Sequence, residues 1–163
     1  MSTDRCFMQA ERKSDMQISV AVKKLREDAV LPKAGSAQAA GYDLYACSGR
    51  GTTVIAPHTT AMIGTGLAAA VPEGYFGGIF ARSGLAAKQG LRPANCVGVL
   101  DSDYRGEITV ALHNDTDEER RIEDGDRIAQ LVIMPYLSVA FEETRDLDST
   151  QRGAGGFGHT GMR

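Results

Sequence analysis

The 163-residue sequence contains no tryptophan, and its aromatic residues are limited to five tyrosines and five phenylalanines. Hydrophobic residues nevertheless make up 42% of the chain. Small aliphatic side chains must therefore fill most of the interior. The length suits one domain, because domains commonly run to about 100–150 residues. We expect a single domain with an aliphatic core.

Cysteine is scarce, and long apolar runs are absent. Cys6, Cys47 and Cys96 are scattered and form neither a CxxC pair nor a Cys/His metal spacing. This pattern argues against a disulfide framework and favours a reducing compartment. No apolar run reaches the roughly 20 residues of a membrane span, and residues 1–16 lack the apolar region of a secretory signal. The sequence predicts a cytoplasmic protein without membrane contact, preceded by a disordered leader at 1–16.

An excess of basic over acidic residues is also absent, which argues against a general nucleic-acid binder. The formal net charge is −3, whereas nucleic-acid binding usually needs a basic face. A local basic pocket for one small anion remains compatible with this charge. A glycine-rich phosphate-binding loop with a GK[ST] lysine is missing as well, which excludes a Walker-type NTPase.

Apolar and polar residues alternate in seven short stretches, as in half-buried strands. The stretches are 17–24, 52–55, 60–71, 75–81, 106–114, 127–134 and 139–144. Turns are predicted at 72–74, at 102–106 as a hairpin tip, and at the hairpin dipeptide Asp124-Gly125. One helix is predicted over 83–90 with Ser83 as its N-cap. Many strands and one short helix predict an all-β sandwich, barrel or jelly roll over residues 17–147.

Polar residues in apolar surroundings mark three candidate positions. Asp43 either caps a turn or holds an arginine or a solvated metal ion. Arg82 and Ser83 precede the predicted helix, where they form a simple N-cap or a phosphate site. Gln130 lies inside an apolar strand and either faces solvent or hydrogen-bonds a ligand.

The segment 95–106, "NCVGVLDSDYRG", carries the densest set of polar residues. Asp103 fits ordinary turn chemistry. Asp101 fits it poorly, because it directly follows the apolar residues "VGVL". A carboxylate at the end of a buried strand is a candidate base for activating water.

The segment 152–161, "RGAGGFGHTG", holds five glycines and buries little. It is either a frayed tail or an arm that orders over a ligand. In the second case Phe157 would stack on a base and Arg152 would meet a terminal phosphate.

Taken together, these features are the parts of a nucleotide site. The segments "AGYDL", "RSGLA", "GVLDSDYRG", "GDRIAQL" and "RGAGGFGHTG" closely resemble, in order and spacing, the five motifs of the homotrimeric deoxyuridine triphosphatases (dUTPases). The resemblance covers residues 18–161. Two departures stand out: His159 replaces a common serine, and the leader has no counterpart.

The resemblance implies a jelly-roll-like β-sandwich (a β-clip) with one short helix, assembled as a homotrimer. A flexible arm at 148–163 would close over the active site of a neighbouring subunit. The implied reaction converts dUTP and water to dUMP and pyrophosphate, with Mg²⁺ on the triphosphate. It would keep uracil out of DNA and supply dUMP for dTMP synthesis.

The resemblance also assigns residue roles. Asp101 would orient and deprotonate the water that attacks the α-phosphorus. The residues implied for uracil and deoxyribose are Asn95, Gly98, Val99, Leu100, Asp101, Tyr104 and Phe157. The residues implied for the phosphates are Arg82, Ser83, Gly84, Gln130, Arg152, Gly158, His159 and Thr160. Asp43 would support the phosphate wall, and Mg²⁺ would be held by phosphates and waters without a direct protein ligand.

Two alternatives remain. A deoxycytidine triphosphate deaminase would need a general acid/base glutamate near the pyrimidine; 95–106 has none, and Glu107 lies past the predicted tip. A non-catalytic nucleotide-binding regulator would keep the scaffold, but the presence of Asp101 and the arm favours an enzyme. A second regulatory role remains compatible with intact motifs.

Overall fold

The computed structural model describes residues 18–156. In this range the chain forms short antiparallel strands and one helix. The elements are β1 (Ala21–Lys24), β2 (Lys33–Ala34), β3 (Tyr42–Tyr45), β4 (Thr52–Ile55), β5 (Thr60–Gly64), β6 (Leu67–Ala70), β7 (Tyr75–Phe80), α1 (Ser83–Gln89), β8 (Leu91–Pro93), β9 (Gly98–Leu100), β10 (Thr109–Asn114), β11 (Arg120–Glu123) and β12 (Arg127–Pro135).

The largest sheet has five strands in the order β2-β3-β12-β7-β9. A three-stranded sheet, β5-β10-β8, and two pairs, β1-β6 and β11-β4, complete the fold. Aliphatic side chains from all of these sheets meet in one core, in which Leu44, Ile63 and Leu112 are fully buried. The predicted all-β, jelly-roll-like architecture with one short helix is confirmed.

Strand β10 illustrates how alternation builds this core. Ile108, just before the strand, and Val110 and Leu112 within it are buried, whereas His113 on the other face is half-buried. Each fully buried aliphatic side chain contributes about 1.5–3 kcal/mol relative to an exposed one. The period of two in the sequence therefore reports the core face correctly here.

Several predicted boundaries are wrong for identifiable reasons. The stretch 60–71 divides into β5 and β6 because Gly66 turns the chain with a φ of 66°. The stretch 139–144 forms no strand, and Phe141 is 96% exposed. Alternation there meets no partner edge, since no strand of residues 18–156 pairs with it. Strands β2, β3, β8 and β11 were not predicted. β2 and β8 span only two and three residues, and the four residues of β3 and of β11 do not alternate between apolar and polar side chains.

The two predicted hairpin tips are also wrong. Strand β9 pairs with β7, whereas β10 pairs with β5 and β8. Strand β11 pairs with β4, whereas β12 pairs with β3 and β7. Both turns therefore carry the chain from one sheet to another. At the second turn, Gly125 has a φ of 95° and the Asp126 N–H donates to the Glu123 carbonyl at 3.0 Å.

Asp124, in that second turn, ties it to the loop between β3 and β4. Its carboxylate accepts backbone N–H bonds from Ser48 at 2.7 Å and from Gly49 and Gly51 at 3.1 Å each. Partial burial acts to raise the pKa of the Asp124 carboxyl, but these hydrogen bonds outweigh it and lower the pKa below its ordinary value. The ionised carboxylate therefore joins two loops that are far apart in sequence.

Helix α1 begins at Ser83, but Ser83 is not its N-cap as predicted. Arg82 occupies that position with extended backbone and makes no side-chain capping bond. Its side chain is engaged elsewhere, as described below. Among residues 18–156, no helix is long and apolar enough to cross a membrane.

Candidate functional site

Three strands of the large sheet place Asp43 and Gln130 side by side. Gln130 on β12 lies opposite Asp43 on β3 and opposite Phe80 on β7. Side chains at such paired positions share one face of a sheet. Two of the candidate motifs, distant in sequence, therefore meet at this row.

Arg82, two residues beyond β7, joins the same group. Its Nε donates to Asp43 Oδ1 at 2.8 Å, and its Nη1 donates to the Arg127 carbonyl at 3.2 Å. Arg127 Nη1 donates to Asp43 Oδ2 at 3.2 Å. The Asp43 side chain is only 16% exposed. Both carboxylate oxygens thus receive a guanidinium, and one carboxylate fixes two cations next to each other.

Arg127 was missed by sequence reasoning, and a β-bulge explains why. Along β12, Arg127 pairs with Tyr45 and Ala129 with Leu44, so Ile128 is the extra residue. Ile128 and Ala129 are both buried. The bulge interrupts the alternation and returns Arg127 to the face that carries Gln130. Simple alternation would have placed these two residues on opposite faces.

Gln130 is half-buried and engaged within the chain. Its Nε2 donates to the carbonyl of Ala81, the residue before Arg82, at 2.9 Å. A Cβ on Gly41 would lie 2.6 Å from Gln130 Oε1. The residue at 41 must therefore be glycine for the amide to occupy this place. We call Asp43, Arg82, Arg127 and Gln130 the Asp43 cluster; Ser83 and Gly84 follow it, exposed, at the start of α1.

A second group forms around strand β9. Its residues pair with β7, Gly98 opposite Ile79 and Leu100 opposite Gly77. Gly98 and Leu100 are buried, and Val99 between them is 63% exposed. A Cβ on Gly98 would lie 3.1 Å from the Ile79 Cβ and 3.5 Å from Asn95 Nδ2. Asn95 therefore lies beside the backbone of β9, which is the edge strand of its sheet. The Asn95 side-chain amide and the unpaired backbone edge of β9 can therefore bind one ligand together.

Asp101 directly follows β9 and is exposed. It opens the segment 101–106, which we call the Asp101 loop. A cleft of about 540 Å³ lies here, lined by Phe76, Val99, Asp101, Ser102, Asp103 and Tyr136. Tyr104 is 45% exposed, and its hydroxyl donates to the Glu107 carbonyl at 3.1 Å. The loop thus offers a carboxylate and an aromatic face near one open cleft.

The two groups lie at opposite ends of β7. The Asp43 cluster adjoins Phe80 and Arg82, whereas the Asp101 loop adjoins Phe76 and Gly77. At about 3.3 Å per residue, Arg82 and the position beside Asp101 are separated by roughly 15–20 Å along the strand. One copy of the chain does not bring Asp101 together with Arg82 or Gln130.

The C-terminal residues that are described leave the core. Residues 136–154 are exposed, including large apolar side chains such as Leu137 at 86% and Phe141 at 96%. Arg152 is exposed, and its Nε donates to the Gly155 carbonyl at 2.9 Å. Four of the implied site residues, Phe157, Gly158, His159 and Thr160, lie outside the described residues.

Among residues 18–156, no group of three or more His, Cys, Asp or Glu side chains is placed to hold a metal ion. Asp43 is occupied by the two arginines. Mg²⁺ typically keeps several waters and binds substrate phosphates with one or two carboxylates. An ion carried by the phosphates of a ligand therefore fits this donor set better than a protein cage.

The chain matches the family model for dUTPase over residues 27–161. It is 49% identical over 142 residues to the deoxyuridine 5'-triphosphate nucleotidohydrolase of Hydrogenobaculum sp. (strain Y04AAS1), covering 87% of this chain and 97% of that protein. It is 46% identical over 141 residues to the enzyme of the same name from Oryza sativa subsp. japonica, covering 86% and 80%.

Solved structures agree. The dUTPase of Staphylococcus bacteriophage 80alpha with dUpNHpp has a TM-score of 0.80 and 30% identity, and the match covers 89% of this chain and 99% of that chain. A mutant dUTPase of phage phi11 of S. aureus, in which a structural Mg(II) ion is coordinated, has a TM-score of 0.73 and 26% identity, covering 81% and 100%. With its family match, its relatives and its fold in accord, the chain belongs to the dUTPase family.

Proposed function

We propose that this protein hydrolyses dUTP to dUMP and pyrophosphate, with Asp101 as the base that activates the attacking water. The carrying observation is the position of Asp101, an exposed carboxylate that directly follows the edge strand β9 and lies on the wall of a cleft. The water attacks the α-phosphorus and the pyrophosphate leaves in line. Positioning and charge neutralisation supply most of the rate in such phosphoryl chemistry.

The uracil site of this proposal lies along β9. Asn95 and the backbone from Gly98 to Leu100 pair with the uracil edge, and the Tyr104 ring packs under the deoxyribose. Asn95 beside the Gly98 backbone supports this arrangement. A narrow pocket of this kind excludes the thymine methyl by contact and rejects cytosine by mismatched donors and acceptors, which in good cases discriminates about 10⁴-fold.

The phosphate site of this proposal is the segment from Arg82 to Gly84, with Gln130 beside it. Asp43 aligns the Arg82 guanidinium, and Gln130 anchors the backbone before Arg82. Mg²⁺ bound to the triphosphate would neutralise phosphate charge. The residues of the Asp43 cluster orient the phosphate chain without ligating the ion.

The complete site is proposed to form between subunits of a homotrimer. The separation of Asp101 from Arg82 along β7 supports this. In one copy the Asp101 loop has the proposed base but no phosphate-binding arginine beside it, and the Asp43 cluster has the arginine but no base. The exposed apolar side chains of Leu137, Val139, Phe141 and Leu147 support it further, since a cluster of such side chains commonly marks a contact surface. The arm from 148 onward would then close over a neighbouring site, with Arg152 at the terminal phosphate and Phe157 on uracil.

The test is pyrophosphate release with Mg²⁺ from dUTP, dTTP, dCTP and UTP in parallel. We expect release from dUTP alone and a loss of at least about 10²-fold in Asp101→Asn, because a positioned base contributes typically 10²–10⁴-fold. Asp117→Asn is the matched control and should keep wild-type activity, because the Asp117 side chain is 99% exposed and, among residues 18–156, pairs only with His58 at the surface. An Asp101→Asn protein with full activity would refute the assignment.

One observation weighs against a deaminase. Glu107, the nearest glutamate to the Asp101 loop, has its carboxylate engaged by Arg26 Nη1 at 2.6 Å and by the Gly66 N–H at 2.8 Å. It is therefore held against the β5–β6 turn and does not line the cleft. Ammonia release from dCTP would overturn this conclusion.

A further inference from the structure

Glu107 connects the Asp101 loop to Arg26 and to the β5–β6 turn, which are distant from it in sequence. It is the first residue after the loop and comes just before β10. Its Oε1 accepts both the Arg26 Nη1 bond at 2.6 Å and the Gly66 N–H bond at 2.8 Å. Arg26 and Glu107 side chains are 35% and 27% exposed. The pair is therefore partly shielded from solvent, which strengthens it relative to an open surface pair.

The turn that receives Glu107 is shaped for it. A Cβ on Gly64 would collide with Glu107 Oε1. Gly66, two residues on, has a φ of 66° and presents its N–H to the same oxygen. A side chain at position 64 would occupy the space of the Glu107 carboxylate, and a right-handed conformation at position 66 would turn the N–H away from it. Two glycines thus make room for one carboxylate.

The same glutamate also holds Tyr104. The Tyr104 hydroxyl donates to the Glu107 carbonyl at 3.1 Å. A Cβ on Gly106 would collide with the Tyr104 hydroxyl, so the ring folds back across the backbone at 106. The position of the Tyr104 ring is consequently set by where the Glu107 backbone lies. The other end of the loop is set by β9, through the pairing of Leu100 with Gly77.

We infer that Arg26 and Glu107 are positioning residues that fix the Tyr104 ring and thereby set the preference for a deoxyribose over a ribose nucleotide. This inference rests on the proposed function, because it takes Tyr104 as the surface under the sugar. Neither side chain touches the substrate. They act by anchoring the C-terminal end of the Asp101 loop to the β5–β6 turn.

The experiment compares wild type with Glu107→Gln, Arg26→Met and the double variant. The kcat and KM values for dUTP and UTP are measured for each with Mg²⁺. We expect the ratio of kcat/KM for dUTP to kcat/KM for UTP to fall about tenfold in each single variant. This is less than the roughly 10²-fold loss that a 1 Å misplacement of a positioned group can cause. The double variant should fall little further than Glu107→Gln alone, because the only Glu107 contact that Arg26→Met removes is the one the two residues share. For dUTP the change should lie mainly in KM.

Two further measurements separate positioning from mere stability. Tyr104→Phe keeps the ring and removes only its bond to Glu107, so its ratio should also fall. Amide exchange across 101–106 should accelerate in the free Glu107→Gln protein. The control pair Arg121–Glu119, joined at 2.9 Å on the surface, supplies Arg121→Met and Glu119→Gln, whose ratios should match wild type.

Folded Glu107 and Arg26 variants with an unchanged dUTP/UTP ratio would overturn the inference while leaving the proposed function intact. Controls that change the ratio equally would also overturn it. A wild-type protein that releases no pyrophosphate from dUTP would instead refute the proposed function, and this inference with it.

Discussion

At the scale of single residues, Gly41 offers a direct test of the Asp43 cluster. A methyl group there would lie 2.6 Å from Gln130 Oε1 and must displace the amide. We expect Gly41→Ala to raise the KM for dUTP by about threefold to tenfold, since a small misplacement weakens binding geometry. Steady-state kinetics with Mg²⁺ and dUTP measures the effect.

Gly35→Ala is the matched control, because nothing lies within 4 Å of a Cβ at Gly35. It should leave both KM and the melting temperature close to wild type. Equal kinetics in the Gly41 and Gly35 variants would show that the placement of the Gln130 amide does not matter for substrate binding.

Single residues could be predicted from the sequence only where a polar residue stood out against apolar neighbours. Asp43 beside an arginine was among the alternatives, and the Arg82–Asp43 contact is present. Ser83 is the first helical residue rather than the N-cap, because Arg82, with extended backbone, occupies the N-cap position. Arg127 had no signal of its own in the alternation. The roles of these side chains toward a nucleotide stay predictions.

At the scale of elements, Asp124 joins the β11–β12 turn to the loop after β3. Asp124→Asn removes the charge that accepts three N–H groups. Hydrogen bonds to charged groups contribute about 1.5–3 kcal/mol each at most, so a net loss of about 1–2 kcal/mol is expected. Thermal unfolding at neutral pH should show a lower melting temperature.

The pH dependence follows from the lowered pKa of Asp124. A depressed folded-state pKa means that the stabilisation is present above the unfolded value, about 3.9 for Asp, and is lost as the pH falls through the folded value. The difference in melting temperature between wild type and Asp124→Asn should therefore narrow below about pH 4. A constant difference across this range would contradict the assignment.

Elements with a strong period of two were predictable, and very short ones were not. β10 was found because its six residues alternate between buried and half-buried positions. β12 was found as a nine-residue strand rich in apolar side chains, although a bulge interrupts its alternation. β9 has three residues and shows no period, so only the apolar run before Asp101 indicated a strand there. Turn residues correctly marked where the chain reverses at Gly125, but they carry no information about which strands then pair. Pairing depends on the whole fold, which is why two turns were mistaken for hairpin tips.

At the scale of the whole molecule, the proposed sharing of the site between subunits predicts complementation between two inactive variants. Asp101→Asn lacks the proposed base, and Arg82→Ala lacks the proposed phosphate ligand. If chains mix at random after joint refolding, about one quarter of the sites combine two intact halves from neighbouring copies. We expect the mixture to recover activity toward roughly that fraction, measured as pyrophosphate release, in particles of about three times 17.4 kDa.

The control is the double variant Asp101→Asn/Arg82→Ala mixed with either single variant. Here every site lacks at least one group, so activity should stay at background. No recovery in the first mixture, despite the formation of mixed trimers, would place both groups in one copy and contradict the separation along β7. The division of the site between copies was implied by the family resemblance and stays a prediction; composition and periodicity alone gave no sign of it.

The bulge at Ile128 changes which face of strand β12 the side chains before it occupy. Arg127 and Gln130 are three positions apart, a spacing that ordinarily brings side chains together on a helix, yet here they share a face of extended chain. The strand is consequently intolerant of length changes at this point. Removing one residue between Arg127 and Gln130 would turn one of these two side chains into the core. Residues 136–154 are exposed and pair with no strand in the described part of the chain, so a change of length there would disturb no strand register.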